Sequence, residues 1–337
     1  MIKPSRRTFT LGAAAALSGI ALPRIAKAAE FSYKIGTSTP AAHPFNTRLI
    51  EAGEKIGKAS NGRMEFQVFP DSQLGGDNDI LQQARSGAIQ FCQPTGQILS
   101  GILPLTAVNA MGFIFADYAK VWEAMDGELG KFVRAQIIAK TNLYPMETMW
   151  DLGFRQVSTS NRPVKTAADL EGLKLRVPIA PSLISLFKAL KVAPVGMQYA
   201  EIYSALQTHI VDGQENPLSQ IEAGKFYEVQ KYISMTNHVW DGYWICCNSK
   251  AWAALPKDLQ EITAKSLNET ALDQRKDVAK LNESSRGVME QKGVVFNDTK
   301  PDSFREALSK AGFYAEWKGK FGDDTWALLE KYVGKLS

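Results

Sequence analysis

A carboxylate is best gripped by arginine, whose planar guanidinium makes two parallel charge-assisted hydrogen bonds to its two oxygens. Two arginines of this chain stand where such a grip is useful. Arg155 closes the segment Trp150-Asp151-Leu152-Gly153-Phe154, and Arg176 lies in Leu173-Lys174-Leu175-Arg176-Val177-Pro178. An amide at a turn follows them in Asp212-Gly213-Gln214-Glu215-Asn216-Pro217. Each has a plainer reading. An arginine at a strand end is ordinarily a solvated charge, and Asn216-Pro217 reads equally as a helix N-cap with the first helical residue.

The elements that must position these groups alternate between strand and helix. Phe31, Tyr33 and Ile35 alternate with polar residues as in a strand, and Leu49, Ile50, Gly53 and Ile56 recur at helical spacing. Met64, Phe66 and Val68 form a second strand. Gly75-Gly76 leads to Asp77 as a helix cap, Ile80, Leu81 and Ala84 give the next helix face, and Ile89 to Phe91 form a third strand. This βαβαβ unit predicts a parallel sheet with its ligand at the carboxyl ends of the strands. Asp77, Asn78 and Asp79 at that helix start exclude a phosphate loop, which needs a nearby cation.

A second α/β unit begins near Arg155. Leu173, Leu175 and Val177 face one way and Lys174 and Arg176 the other, so Arg176 falls at the carboxyl end of a strand. Tyr199, Ile202, Tyr203 and Leu206 predict one helix closing near Gly213, with Tyr199 at its entrance facing a cleft. From Lys257 to about Lys292 the chain is charged and helical, on the order of 50 Å at ~1.5 Å per residue. A helix of that length has to lie across both lobes. Residues 301–337 read as further helix. No flexible linker separates the units, so ordered crossings join them.

Charge excludes other classes. The chain has 39 basic and 35 acidic residues, but Lys3, Arg6, Arg7, Arg24 and Lys27 all precede Ala28. Without those five, 34 basic residues face 35 acidic ones, and a nucleic-acid footprint is missing. Arg6-Arg7, the apolar run Leu11–Leu22 and Ala26-Lys27-Ala28 predict a cleavable export signal over residues 1–28, of the twin-arginine type. Cys92, Cys246 and Cys247 read as buried free thiols, and His43, His209 and His238 match no zinc spacing.

Six segments in series carry a resemblance: Gln73-Leu74-Gly75, Gly153-Phe154-Arg155-Gln156, Leu173 to Pro178, Ala205-Leu206-Gln207-Thr208, Val211 to Pro217, and Thr236-Asn237-His238. Together they resemble the DctP-type extracytoplasmic substrate-binding proteins of TRAP (tripartite ATP-independent periplasmic) transporters over essentially the whole mature chain. The resemblance implies an α/β, two-lobed periplasmic binding protein fold with a ligand cleft between the lobes and a long helix spanning both. It implies lobe I from residues 29–153 plus 242–281 and lobe II from 154–241 plus 282–337. It also implies a periplasmic monomer without a cofactor, which captures a small organic acid and delivers it to membrane permease subunits. By the same resemblance Arg176 forms the salt bridge to the ligand carboxylate, Arg155 and Asn216 add contacts, and Tyr199 sets a ring against the ligand.

Sialic-acid-binding members carry extra charge where this chain has Asn78 and Thr95, which disfavours that ligand; Glu215-Asn216 departs from the Glu-Trp of the metal-dependent members, which argues against a metal. His43, Gln93, Thr95, Gln97, Trp150 and Trp240 are the remaining cleft candidates. Both arginines together suit a C4-dicarboxylate, whereas one with polar groups suits a uronate or 2-oxo acid; aromatic rings would suit an aromatic acid. The alternative is a periplasmic enzyme with Glu215 as base, but no Ser-His-Asp or Cys-His set supports it.

Overall fold

The computed structural model describes residues 28–336; apart from its last residue, the expected export signal lies outside the described residues. Among the described residues twelve strands occur in chain order: β1 (Phe31–Gly36), β2 (Met64–Phe69), β3 (Phe91–Cys92), β4 (Leu143–Pro145), β5 (Trp150–Thr159), β6 (Lys174–Val177), β7 (Ala193–Gly196), β8 (Gly213–Pro217), β9 (Tyr232–Met235), β10 (Trp240–Tyr243), β11 (Cys246–Asn248) and β12 (Val295–Asp298). They build two sheets. The first has the order β2-β1-β3-β11-β4, and the second β12-β9-β5-β8-β6-β7 with β10 against β5.

The first sheet starts from the expected βαβαβ unit, with β1 parallel to both β2 and β3. The helix Pro44–Ala59 covers it, burying Phe45, Leu49, Ala52 and Ile56 at the spacing of one helical face. The third strand is shorter than its sequence suggests, starting at Phe91 rather than Ile89. In the second sheet β6 runs parallel to β7 and β8, while β8 and β9 are both antiparallel to β5.

One strand serves two neighbourhoods. The first half of β5 pairs with β10, Trp150 opposite Tyr243 and Phe154 opposite Trp240, and its second half pairs with β8 and β9. Near the changeover Gly153 holds φ +120°, where a Cβ would also meet Asn282 at 2.7 Å, so this position requires glycine. The register of β10 slips between Asp241 and Gly242, and beyond it Tyr243 bridges to Thr95.

The long helix, Lys257–Gln291, fastens to both sheets' layers. Its Gln274 side chain exchanges two hydrogen bonds with the Asp151 backbone, at 2.8 and 2.7 Å. Asp277 pairs with Arg48 of the first layer at 2.7 Å, and Asn282 accepts from the Ser219 backbone of the second at 2.9 Å. The C-terminal segment is helical as expected, in three pieces: Pro301–Lys310, Phe313–Phe321 and Asp323–Val333. Among the described residues no helix is long and apolar enough to cross a membrane. Cys92, Cys246 and Cys247 are buried and unbridged.

Three local expectations need correction. Asn216 does not cap a helix: β8 continues through it, pairing Asn216 with Gln156, and Pro217 takes the cap position before Leu218–Ala223. Asp77 is likewise not a cap. Gly76 occupies that position, the Asp79 carboxylate accepts from the Gly76 N–H at 3.0 Å, and the Asp77 side chain is left free to turn elsewhere. The helix predicted from Tyr199 to near Gly213 is a 3-10 turn, Tyr199–Glu201, followed by Ile202–Gln207; it stops early because Thr208 caps it and His209 takes φ +57°.

Candidate ligand-binding site

Strand ends from both sheets converge on one cavity. Ser38, Asp77, Thr95 and Ile98 come from the first layer, and Arg155, Arg176, Pro178, Tyr199, Asn216 and Gln220 from the second. Leu152, Asp241 and Tyr243 come from the crossing strands. The cavity is narrow, with a volume of about 30 Å³.

Both arginines are 2% exposed, yet their surroundings differ. Arg155 is saturated. Its Nε and Nη2 grip the Glu215 carboxylate at 2.5 and 2.8 Å, Nη2 also donates to the Glu215 carbonyl at 2.8 Å and Asn216 Oδ1 at 3.2 Å, and Nη1 reaches Asp241 at 3.3 Å. Strand pairing makes this lock, because β5 lies beside β8, with Arg155 opposite Pro217 and Gln156 opposite Asn216. Burial works against the Arg155 charge, but Glu215 and Asp241 outweigh it and its pKa is raised.

Arg176 is tethered and open. Its Nε and Nη2 both donate to the Met197 carbonyl, at 3.0 and 2.7 Å, just beyond the parallel neighbour β7. Its Nη1 is buried without a partner. Burial, with the like charge of Arg155 beside it, brings its pKa down to about 10. The group is still cationic at neutral pH; Glu215 and Asp77 act on it from a distance, but no carboxylate pairs with it directly to compensate its desolvation.

The carboxylates divide in the same way. Burial pushes Glu215 up, but Arg155 and a hydrogen bond from His238 prevail and hold it at about 2. Such a carboxylate is no proton acceptor near neutrality. Burial keeps His238 neutral; since Glu215 only accepts, the ring donates through Nε2 at 3.0 Å and Nδ1 receives the Thr236 hydroxyl at 2.8 Å. Asp241, 1% exposed, is pushed up to about 7 by burial, with Glu215 adding to the effect and Arg155 only partly opposing it. Asp77 is raised by burial too, and its Oδ1 accepts from the Ser38 hydroxyl at 2.6 Å.

Of the ten residues singled out in the sequence, the cavity brings together Arg155, Arg176, Tyr199, Asn216 and Thr95. The Tyr199 hydroxyl is fixed on the Gln220 carbonyl at 2.8 Å, and Asn216 Nδ2 on Gln214 at 2.6 Å. Thr95 lines the wall while its hydroxyl also caps the short helix Gly96–Leu99. Five residues lie elsewhere. His43 caps the helix Pro44–Ala59 through Nδ1, 3.1 Å from the Phe45 N–H. Trp150 packs edge-on against Phe45 at 5.3 Å, and Trp240 packs on Trp122 and donates to Asp151 at 2.9 Å. Gln93 and Gln97 are buried outside the lining. Sequence reasoning missed Ser38, Asp77, Gln220, Asp241 and Tyr243 as wall residues. For Ser38 a signal existed, since it follows the carboxyl end of β1. Among the described residues no group of three or more His, Cys, Asp or Glu is placed to hold a metal.

Known proteins are similar to this chain in sequence and in fold. The chain is 32% identical over 293 residues to the C4-dicarboxylate-binding periplasmic protein DctP of Rhodobacter capsulatus, covering 84% of each. It is 29% identical over 293 residues to the 2,3-diketo-L-gulonate-binding periplasmic protein YiaO of Escherichia coli, covering 87% of this chain and 89% of that one. The crystal structure of a sugar acid binding protein from Advenella mimigardefordensis, in complex with galactonate, superposes with a TM-score of 0.85 at 26% identity, covering 91% of this chain and 98% of that one. The profile of the DctP family, described as bacterial extracellular solute-binding protein, family 7, matches residues 35–316. With the two-sheet architecture and the spanning helix in agreement with that match, this chain belongs to family 7 of the bacterial extracellular solute-binding proteins.

Proposed function

We propose that this protein is a periplasmic receptor that captures a small organic acid on Arg176 and presents it to the membrane permease of a TRAP transporter. One observation carries the reading: a cationic Nη1 that is buried, unpartnered and part of the wall of a cavity between two lobes. Pairing it with a ligand carboxylate supplies the missing counter-charge and a directional, charge-assisted hydrogen bond. Relatives that take a C4-dicarboxylate, a diketogulonate and a galactonate have an acid group in common.

The acting form is a monomer. Its lobes, residues 29–153 with 242–281 and 154–241 with 282–337, swing about the crossings at Gly153, at Asp241-Gly242 and in the long helix. Opening there admits the ligand, and closure desolvates its charge against Arg176. Glu215 does not act as a base, because Arg155 holds it ionised and hydrogen-bonded.

A thermal-shift screen of the mature protein against dicarboxylates, sugar acids, 2-oxo acids and aromatic acids tests the reading. A ligand at 100 times its Kd stabilises by about 2.7 kcal/mol, a readable shift that Arg176→Ala should remove. If neutral sugars raise the melting point and no acid does, Arg176 is not the anchor.

A further inference from the structure

Outside the cavity, the first sheet holds a pair of nucleophilic side chains that ligand binding leaves unused. β3 and β11 run antiparallel with Cys92 opposite Cys246. Hydrogen bonds flank the pair two residues to either side: the Trp244 N–H donates to the Pro94 carbonyl at 3.0 Å, and the Asn248 N–H to the Gln90 carbonyl at 2.7 Å. Bonded and unbonded pairs alternate along an antiparallel ladder, so Cys92 and Cys246 form a bonded pair, whose Cα atoms stand about 5.5 Å apart. A disulfide spans Cα separations of roughly 4.4–6.8 Å. The backbone therefore already has the spacing that a bond between them requires.

The sheet also separates the third thiol from these two. Cys92 and Cys246 are fully buried in one core, with Leu81, Ala84 and Leu143. Cys247 lies in the other, with Phe45, Phe91 and Trp252, as successive strand residues take opposite faces. Burial pushes the Cys246 thiol well up, with the Cys92 thiol beside it adding to the rise, and burial raises Cys247 as well. Protonated, buried thiols are poor nucleophiles, so exchange has to occur while β3 and β11 are apart, during folding or a later opening of the sheet. The pair also sits under the cavity: β3 runs on to Thr95, β11 follows Tyr243, and those two wall residues bridge to each other.

We propose that Cys92 and Cys246 are the site of a disulfide that an oxidising compartment installs, fastening β3 to β11 beneath the Thr95 and Tyr243 wall, and that Cys247 stays a free thiol. The oxidant is a protein disulfide. The Cys246 thiolate attacks one of its sulfurs and displaces the other as a thiolate; the Cys92 thiolate then attacks Cys246 in the mixed disulfide, forming the new bond and releasing the second sulfur. Two cysteines lose two protons and one electron pair, and the partner's disulfide gains both and becomes a dithiol. Installation in the cell rests on the periplasmic location proposed above, where disulfides form and persist. Because the bond joins residues far apart in the sequence, it restricts the unfolded chain and stabilises the folded one.

Refolding tests the pairing without reference to location. The mature protein, denatured and reduced, is refolded in a mixture of reduced and oxidised glutathione; free thiols are then alkylated under denaturing conditions and the peptides mapped by mass spectrometry. The expected product carries one bond, between Cys92 and Cys246, with Cys247 alkylated, and its melting temperature falls when a reductant is added. Cys247→Ser should form the same bond and Cys92→Ser none. Three alkylated cysteines in the refolded protein, or a bond that includes Cys247, overturn the proposal. The full chain recovered from the periplasmic fraction should carry the bond, whereas the chain expressed without residues 1–28 and kept in the cytoplasm should not. A bond that forms in glutathione but is missing from the periplasmic protein overturns its installation in the cell. Absence of the protein from that fraction overturns the location instead, and leaves the pairing measured in glutathione standing.

Discussion

Arg155 and Arg176 lie 21 residues apart on the same sheet with the same 2% exposure, and they do opposite things. Arg155 faces the antiparallel seam of β5 and β8, where Glu215 and Asn216 arrive from the neighbouring strand and Asp241 from β10. Arg176 stands on β6 between parallel neighbours, where a backbone carbonyl is its hydrogen-bond acceptor. A buried guanidinium is thus no sign of a ligand by itself. What distinguishes an anchor from a structural lock is whether the protein supplies the counter-charge or leaves it to the ligand.

Exchanging the two roles is the sharpest way to break this comparison. Arg176→Ala should abolish measurable binding, or weaken it by more than tenfold in calorimetry, while leaving the ligand-free protein folded with an unchanged or higher melting point, since an uncompensated charge is removed. Arg176→Lys keeps the charge but loses the fork and should bind weakly as well. Arg155→Ala should act on stability first: it strands Glu215 and Asp241 without their cation, at a cost of about 3–5 kcal/mol in urea denaturation. A loss of about 0–1 kcal/mol, the range of an exposed pair, would show that the lock is not what Arg155 is for. Were Arg155→Ala to lose only affinity and Arg176→Ala only stability, the assignment would be reversed.

The two regions also differ in how far the sequence discloses them. Arg176 is legible because strand alternation in 173–177 and Pro178 place it at a carboxyl end, which needs only local information. The long helix is legible for the same reason: its length and charge are written in one stretch. The partners of Arg155 are not, because Asp241 is 86 residues away and meets it only through the β5–β10 pairing. Asp77 looks like a helix-start charge until Ser38, 39 residues earlier, is seen to hold it. Trp150 and Trp240 read as ring platforms for a ligand, yet they pack into the core beside the crossing strands; aromatic composition cannot separate a cleft wall from a core, since both bury rings.

A subtler difference between lock and cleft appears in pH. Asp241 has a folded pKa near 7 against an ordinary value of 3.8, so between those values the folded protein holds a proton that the unfolded chain has released. Stability contributed by the protonated form is therefore present below about pH 4 and lost as pH rises toward 7, by up to about 1.4 kcal/mol per unit. Asp151, also raised to about 7 by burial, adds to the same trend. Asp241→Asn should flatten the fall in melting temperature between pH 5 and 7 in part, whereas an unaltered slope would mean that Asp241 stays ionised beside Arg155.

His43 supplies the smallest effect and the opposite sign. Burial lowers its pKa from 6.5 to about 4, so over that window the unfolded chain binds the proton and the folded one does not. Its contribution is present above pH 6.5 and is lost as pH falls toward 4. Because its ring nitrogen caps Pro44–Ala59 and lies outside the cavity lining, His43→Ala should cost about 1 kcal/mol of stability at neutral pH and leave the affinity for acids unchanged. His43→Asn should recover part of that stability by capping with its amide oxygen, and it should also remove the acid-side loss. A His43→Ala protein of normal stability but weakened affinity would move His43 from the scaffold into the site, and the boundary between scaffold and cleft would have to be redrawn through the first helix.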